Sequence, residues 1–222
     1  MKKAVKLTLY LLLSVTLLFY LWAHDGCPTL SAEGAFYRME SRYLLPKSHF
    51  EGLAFLDELR SSTGNYQRYL AAGVTDTHLH MAEVRKKAFL WYVADQRDAS
   101  IASVPLGQGA TAGIAPNYWP FDYTFFLYTP QPAETWVATV TIGDLSYTTE
   151  GTCDPSGFTL FEFHQLQQCS EAVGNNLKAW AYDMLGIGYG KDYKTMDIAL
   201  TVALFDADGQ PVGFASRDYP AS

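Results

Sequence analysis

An uncharged apolar segment lies close to the N-terminus of this chain. Residues 7–23 contain no charged side chain over 17 positions, and Lys2, Lys3 and Lys6 precede them. An apolar run of about 17–25 residues is long enough to span a bilayer as a helix, and flanking lysines hold that end in the cytoplasm. We therefore predict a transmembrane helix with residues 7–23 in the lipid bilayer, the N-terminus cytoplasmic and the following domain extracytoplasmic.

The same segment also has features of a secretory signal peptide or a lipoprotein signal. Signal peptides end in small residues around the cleavage site, and their apolar cores span roughly 7–15 residues. Cleavage after Ala23 would place Leu21 three residues before the cut, and Asp25 lies just ahead of Cys27, which a lipoprotein would acylate. These departures favour an uncleaved signal anchor in a single-pass protein of the cell membrane, with the cleaved and lipidated forms as alternatives.

Charge narrows the class of partner for the part of the chain that follows this segment. The whole chain has 16 basic and 23 acidic residues, and three of the basic residues lie ahead of the segment. The remainder therefore has 13 basic and 23 acidic residues, a net charge of −10. Binding of a nucleic-acid backbone depends on clustered Lys and Arg, so we exclude nucleic acid. The predicted location makes an envelope protein or a glycan the expected partner.

The pattern of apolar residues predicts an α+β protein in which antiparallel strands dominate. Short runs rich in aromatic and β-branched residues, separated by Gly, Pro and Asp, predict strands joined by tight connections. Such connections imply antiparallel pairing. We assign residues 1–26 to the cytoplasmic lysines and the membrane anchor, residues 27–64 to a short juxtamembrane helix and linker, and residues 65–222 to one β-rich domain.

Two helices are predicted after the anchor. The first covers residues 32–44, since Ser31 is a suitable N-cap and Pro46 ends the helical pattern. The second lies near residues 170–185, where Ser170 is the capping residue and apolar side chains recur at helical spacing. Gly174 lowers the helix propensity of this second segment.

Nine further runs are predicted as strands, and residues 50–59 fit either a helix or a strand. A polar turn is expected at residues 85–87 and a Gly/Ala loop over residues 105–116. The predicted strands are 66–73, 77–84, 88–94, 123–128, 136–142, 145–149, 158–163, 198–205 and 211–215. The side chains expected to be largely buried in the core are Trp91, Phe125, Val137 and Trp180.

The three cysteines allow one short disulfide loop. An oxidising exterior permits disulfides, and a bond between Cys153 and Cys169 would close a loop that stabilises the fold by about 3 kcal/mol. Two reduced, buried thiols are the alternative. Cys27 is left over beside the apolar segment.

The run Asp76-Thr77-His78-Leu79-His80 resembles the strand-end metal motif of amidohydrolases. Residues i and i+2 of a strand point the same way, so His78 and His80 could ligate one ion. That family takes further histidines from later strands, whereas this chain has only His164 after His80. A zinc site needs about three protein ligands. His78 and His80 are kept as metal candidates, but we expect no metal and no other cofactor.

The run Thr149-Glu150-Gly151-Thr152-Cys153 is similar to the TLxTC box of sortases. The resemblance implies a cysteine nucleophile that works with a histidine and an arginine, which stabilises the developing oxyanion. Here Glu150 replaces the leucine of the box, and no arginine occurs between Arg97 and Arg217. The resemblance thus departs from the family at the arginine.

An aromatic stretch between the predicted strands offers a candidate binding surface. Tyr118, Trp119 and Phe121 could form an exposed stacking face for a glycan or a partner peptide, because aromatic side chains supply amphipathic contact area. Core packing is the alternative.

These observations predict a non-catalytic, membrane-anchored module that binds or senses a ligand outside the cytoplasm. The alternative is an envelope hydrolase or a transpeptidase-like enzyme, which would use His78 and His80 with a metal or Cys153 as a thiol.

Overall fold

The computed structural model describes residues 2–24, 28–61, 64–93, 101–116, 123–188 and 191–222. The helices are α1 (Lys2–His24), α2 (Ala32–Arg42) and α3 (Glu171–Met184), with short 3-10 helices at His164–Gln168 and Lys191–Tyr193. The strands are β1 (His49–Ser61), β2 (Gly64–Val74), β3 (His78–Lys87), β4 (Leu90–Val93), β5 (Ile101–Pro105), β6 (Thr111–Ile114), β7 (Thr124–Tyr128), β8 (Thr135–Ile142), β9 (Leu145–Thr152), β10 (Phe158–Glu162), β11 (Ile198–Phe205) and β12 (Pro211–Tyr219).

The predicted transmembrane helix is wrong. Among the helices of the described segments, none has the length and apolarity needed to cross a membrane. The uncharged part of α1 is 17 residues long, and as a helix it rises only about 26 Å against a hydrocarbon core of about 30 Å. Polar side chains, among them Thr8, Ser14 and Thr16, lower its apolarity further. The signal anchor that rested on this helix is corrected with it, and the location outside the cytoplasm stays a prediction.

The strands form three sheets in which every pairing is antiparallel, so the predominance of antiparallel strands is confirmed. The first sheet has the order β1-β2-β3, with β4 and β5 paired to opposite ends of β3. The second has the order β10-β7-β6 and the third the order β12-β11-β8-β9. Thus β1, β9 and β10 are each the edge strand of a different sheet.

Two apolar clusters lie on opposite faces of the first sheet. Because side chains alternate along a strand, Leu70 and Ala72 of β2 join the main core with the other two sheets and α3. Ala71 faces the other way and packs against Phe36 and Met39 of α2. The first sheet is therefore covered on both faces, by α2 on one and by the main core on the other.

Both helices predicted after the anchor are present and capped as expected. Ser31 Oγ accepts a hydrogen bond from the Gly34 N–H at 3.0 Å. Ser170 Oγ accepts one from the Val173 N–H at 3.4 Å. A Cβ at Gly174 would lie 2.6 Å from the Tyr123 hydroxyl, so the glycine inside α3 makes room for that ring.

The apolar pattern of the sequence predicted the long strands better than the short ones. Residues 85–87 continue β3 and do not form a turn, and β6 lies inside the stretch predicted as a Gly/Ala loop. The sequence did not predict β5. All four residues of β6 are buried, so no alternation marked it as a strand. Residues 50–59 belong to β1, which pairs with β2 along its whole length, from His49 opposite Val74 to Ser61 opposite Gly64.

Two of the four expected core residues are buried. Phe125 and Trp180 have 0% and 1% of their surface exposed, as predicted. Trp91 and Val137 are only partly buried, less completely than predicted. On β8 the inward residues are Trp136 and the three that follow at alternate positions, because period-2 spacing defines two faces without deciding which one faces the core.

Candidate functional site

The candidate site is a cleft at which edge strands of all three sheets meet. Its volume is about 370 Å³. Phe55 of β1 belongs to the first sheet, Thr124 of β7 and Phe161 of β10 to the second, and Trp136 of β8 and Glu150 of β9 to the third. Since each sheet contributes side chains, the cleft exists only in the assembled fold.

Aromatic side chains form one wall of this cleft. The ring centroids of Trp136 and Phe161 lie 4.5 Å apart. Trp136 is further held by its indole N–H, which donates to the Thr152 carbonyl at 3.0 Å. Both rings are largely buried, whereas Phe55 is 54% exposed at the rim. The wall therefore combines two fixed rings with one exposed ring.

Two carboxylates and a histidine line the same cleft. Glu150 is exposed on β9, Glu162 is half-buried at the end of β10, and His164 begins the 3-10 helix that follows. The Thr124 hydroxyl lies 3.5 Å from Glu162 Oε1. Within the described segments, neither glutamate forms an ion pair with a lysine or arginine. The cleft thus has negative charge without an internal counter-ion, beside aromatic faces that also attract cations.

The histidines of the amidohydrolase-like run do not converge on one point. His80 is buried against α2, and its Nδ1 lies 2.7 Å from Oε1 of the buried Glu40, which also accepts from the Ser48 N–H. His80 is therefore held inside the interface with α2 and does not face solvent. His78 is half-buried, with Nδ1 2.8 Å from Thr77 Oγ1.

The other residues needed for a metal site lie elsewhere. Glu83 is engaged by Arg68 and Arg85, and His164 lines the cleft, whose lining includes neither His78 nor His80. In the part of the chain that the structure describes, no three or more His, Cys, Asp or Glu side chains are grouped so that they could hold a metal ion.

Cys153 and Cys169 are free cysteines in the structure and do not form the disulfide that their spacing suggested. Cys153 directly follows β9, and burial, with the nearby Glu134 carboxylate, raises the pKa of its thiol. Cys169 lies beside Tyr123, and burial raises its pKa too. Both thiols therefore disfavour the thiolate that a sortase-like reaction would need. Cys27 lies outside the described residues.

The aromatic binding candidates Tyr118, Trp119 and Phe121 also lie outside the described residues. No local sequence pattern marks the cleft, because its side chains come from positions as far apart as 55 and 164. The net charge of −10 after the apolar segment was the one signal that agreed with its chemistry.

No known relative supplies a function for this cleft. The chain matches no family model, and no curated protein and no solved structure is significantly similar to it.

Proposed function

We propose that this protein is a non-catalytic binding domain whose cleft takes a positively charged group of a partner, such as a lysine or arginine side chain. The observation that carries the proposal is the position of Glu150 and Glu162 beside the aromatic wall of Trp136 and Phe161, with Phe55 at the rim. The two carboxylates would neutralise the cation, and the rings would pack on its aliphatic stem.

The physical chemistry of the cleft favours a cation over a neutral or anionic ligand. An ammonium or guanidinium group over an aromatic face gains roughly 0.5–2 kcal/mol, and the gain is larger where water is excluded. A charge-assisted hydrogen bond to a carboxylate is about twice as strong as a neutral one. The negative charge of the domain would also attract a basic partner from a distance at low ionic strength.

The enzyme alternative has less support. A metal hydrolase would need His78 and His80 together with a third ligand, yet His80 is hydrogen-bonded to Glu40 inside the α2 interface. A thiol enzyme would need Cys153 as thiolate, yet burial and Glu134 raise the pKa of that thiol. Binding without chemistry remains the function that the geometry supports best.

The test is calorimetric titration of the full chain with a short peptide whose only charged side chain is one lysine. The matched peptide has norleucine in place of lysine and so keeps most of the stem without the charge. We expect saturable binding of the lysine peptide that weakens as salt is raised, and little binding of the norleucine peptide.

Variants locate the binding in the cleft. The double variant Glu150→Gln/Glu162→Gln should lose the lysine peptide, whereas the double variant Asp144→Asn/Asp208→Asn removes the same charge at exposed turns and should retain it. Equal binding of the lysine and norleucine peptides, or equal affinity in both double variants, would refute the proposal.

A further inference from the structure

A second cavity lies against the same strands as the cleft. Its volume is about 400 Å³, and it is lined by Glu51 of β1, Tyr128 of β7, Cys153 directly after β9 and Gly157 directly before β10. The cleft is bounded by the same four strands further along, at Phe55, Thr124, Glu150 and Leu160–Glu162. The two cavities therefore occupy successive stretches of one set of strands.

Two hydroxyl groups of the second cavity have no partner within the described chain. Tyr128 and Thr129 line it, with 6% and 8% of their surface exposed. Neither side-chain hydroxyl forms a hydrogen bond to any part of the chain that the structure describes. In the described chain the buried polar atoms that lack a partner are Arg38 Nη1 and Ser48 Oγ, so the hydroxyls of Tyr128 and Thr129 are open to the cavity and available to a ligand donor or acceptor.

Carboxylates give this cavity the same charge as the cleft. Glu51 and Glu134 line it, and neither is paired with a lysine or arginine within the described ranges. Burial, together with the Glu51 charge, raises the pKa of Tyr128, which places that carboxylate close to the ring hydroxyl. A cationic group seated here would meet both the carboxylate and the free hydroxyls.

The offset between the cavities is four residues on two of the strands, from Phe55 to Glu51 on β1 and from Thr124 to Tyr128 on β7. On the third side it is three residues, from Glu150 of β9 to Cys153 directly after that strand. Four residues of extended chain span about 13 Å. In an extended peptide, side chains at i and i+4 point to the same side, whereas those at i and i+3 point to opposite sides.

We propose that the partner is an extended peptide segment with two basic residues four positions apart, one seated in the cleft and the other in the cavity of Tyr128 and Glu134. This inference rests on the proposed function of the cleft and adds the second position and the spacing. The occupant is a segment of another protein. Two negatively charged cavities spaced along neighbouring strands are complementary to basic side chains spaced along an extended chain.

The test compares glycine- and threonine-based peptides by fluorescence anisotropy on the full chain. One peptide has lysines at i and i+4, the second has the same composition with lysines at i and i+3, and the third has one lysine and one norleucine. Linking two sites multiplies affinity when the spacing fits. We expect the i and i+4 peptide to bind about tenfold or more tightly than either of the others.

Variants of the second cavity should remove only this advantage. Tyr128→Phe and Glu134→Gln should bring the i and i+4 peptide to the affinity of the single-lysine peptide, whose own binding stays unchanged. Asp208→Asn, at the exposed turn after β11, removes a similar charge and should change neither affinity.

The outcomes separate this inference from the function on which it rests. Equal affinity of all three peptides, with binding still lost in Glu150→Gln/Glu162→Gln, would overturn the two-position partner and leave the cleft function standing. Spermine binding as tightly as the i and i+4 peptide would overturn the peptide occupant in favour of a small polyamine. If no lysine peptide binds, both proposals fall.

Discussion

The indole of Trp136 lies over Gly151, the residue opposite it in the β8–β9 pair. A Cβ at Gly151 would lie 2.6 Å from Cζ2 of the indole, closer than real side-chain contacts come. The glycine thus allows Trp136 to cross β9 and reach the Thr152 carbonyl, while its ring packs on Phe161. The aromatic wall of the cleft therefore depends on a glycine at position 151.

Gly151→Ala should therefore displace Trp136 and damage the cleft. Overpacking of this kind costs typically 1–3 kcal/mol, and we expect a loss of that size in the free energy of unfolding from urea denaturation. The lysine peptide should bind more weakly as well. Gly213→Ala is the control, since its Cβ would meet only Leu204 Cδ1, at an ordinary 3.5 Å. Equal stability of the two variants would show that Trp136 moves without cost.

Cys153 should react slowly with alkylating reagents, because its raised pKa leaves little thiolate near neutral pH. In a Cys27→Ser/Cys169→Ser background, iodoacetamide should modify it more slowly at pH 8 than it modifies a free cysteine. Glu134→Gln removes the neighbouring charge and should speed the reaction. The measurement is the rate of alkylation of the Cys153 peptide by mass spectrometry. Rapid alkylation below pH 7 would revive the thiol-enzyme alternative.

Arg68 controls how stability depends on pH through Glu83. The guanidinium is buried and contacts Glu83 at 2.8 and 3.0 Å, with Asp57 on its other side. Burial alone would raise the pKa of Glu83, but the hydrogen bonds and charge of Arg68, assisted by Arg85, lower it below its ordinary 4.5. This stabilisation is complete above pH 4.5 and is lost as the pH falls through the folded-state pKa.

Arg68→Met should reduce or reverse that pH dependence. Without the guanidinium, burial raises the pKa of Glu83. Acidification below pH 4.5 would then no longer remove the stabilisation that the ionised Glu83 gives to the folded state. Breaking a buried ion pair should also cost about 3–5 kcal/mol at neutral pH. The measurement is the free energy of unfolding between pH 3 and 7, with the exposed Arg42→Met as control. Parallel pH profiles for wild type and Arg68→Met would contradict this assignment.

Trp180 should be the most costly aromatic side chain of α3 to remove. It is 1% exposed, and its ring lies 5.9 Å from that of Tyr219 and 6.2 Å from that of Phe125. Trp180→Ala should lower the free energy of unfolding by roughly 3–5 kcal/mol. Thermal melts followed by circular dichroism give the measurement. An unchanged melting temperature would mean that α3 does not contribute to the core.

Local signals in the sequence were sufficient for the helices and the long strands. Ser31 and Ser170 supplied caps that depend only on neighbouring N–H groups, and α2 and α3 begin at the predicted positions. The runs that became β8 and β11 were recognised by their β-branched and apolar residues. Such features act over a few residues, so they can be read without knowledge of the fold.

Composition predicted the helix at the apolar N-terminal run correctly but not whether that helix spans a membrane. The sequence places an uncharged helix there, and α1 does cover it. Whether such a helix could cross a membrane depends on its apolar length against a fixed thickness, and on that measure the prediction was wrong.

Local sequence features specify the α2 and α3 helices, most of the strands, their antiparallel pairing and the acidic charge. Packing between distant segments places Trp136 and not Val137 in the core and buries His80 against Glu40, forty residues away. The same packing brings Glu150 and Glu162 together beside the aromatic rings. The physical reason is that alternation fixes which residues share a face of a strand, whereas the choice of inner face and the meeting of three sheet edges depend on packing between distant parts of the chain.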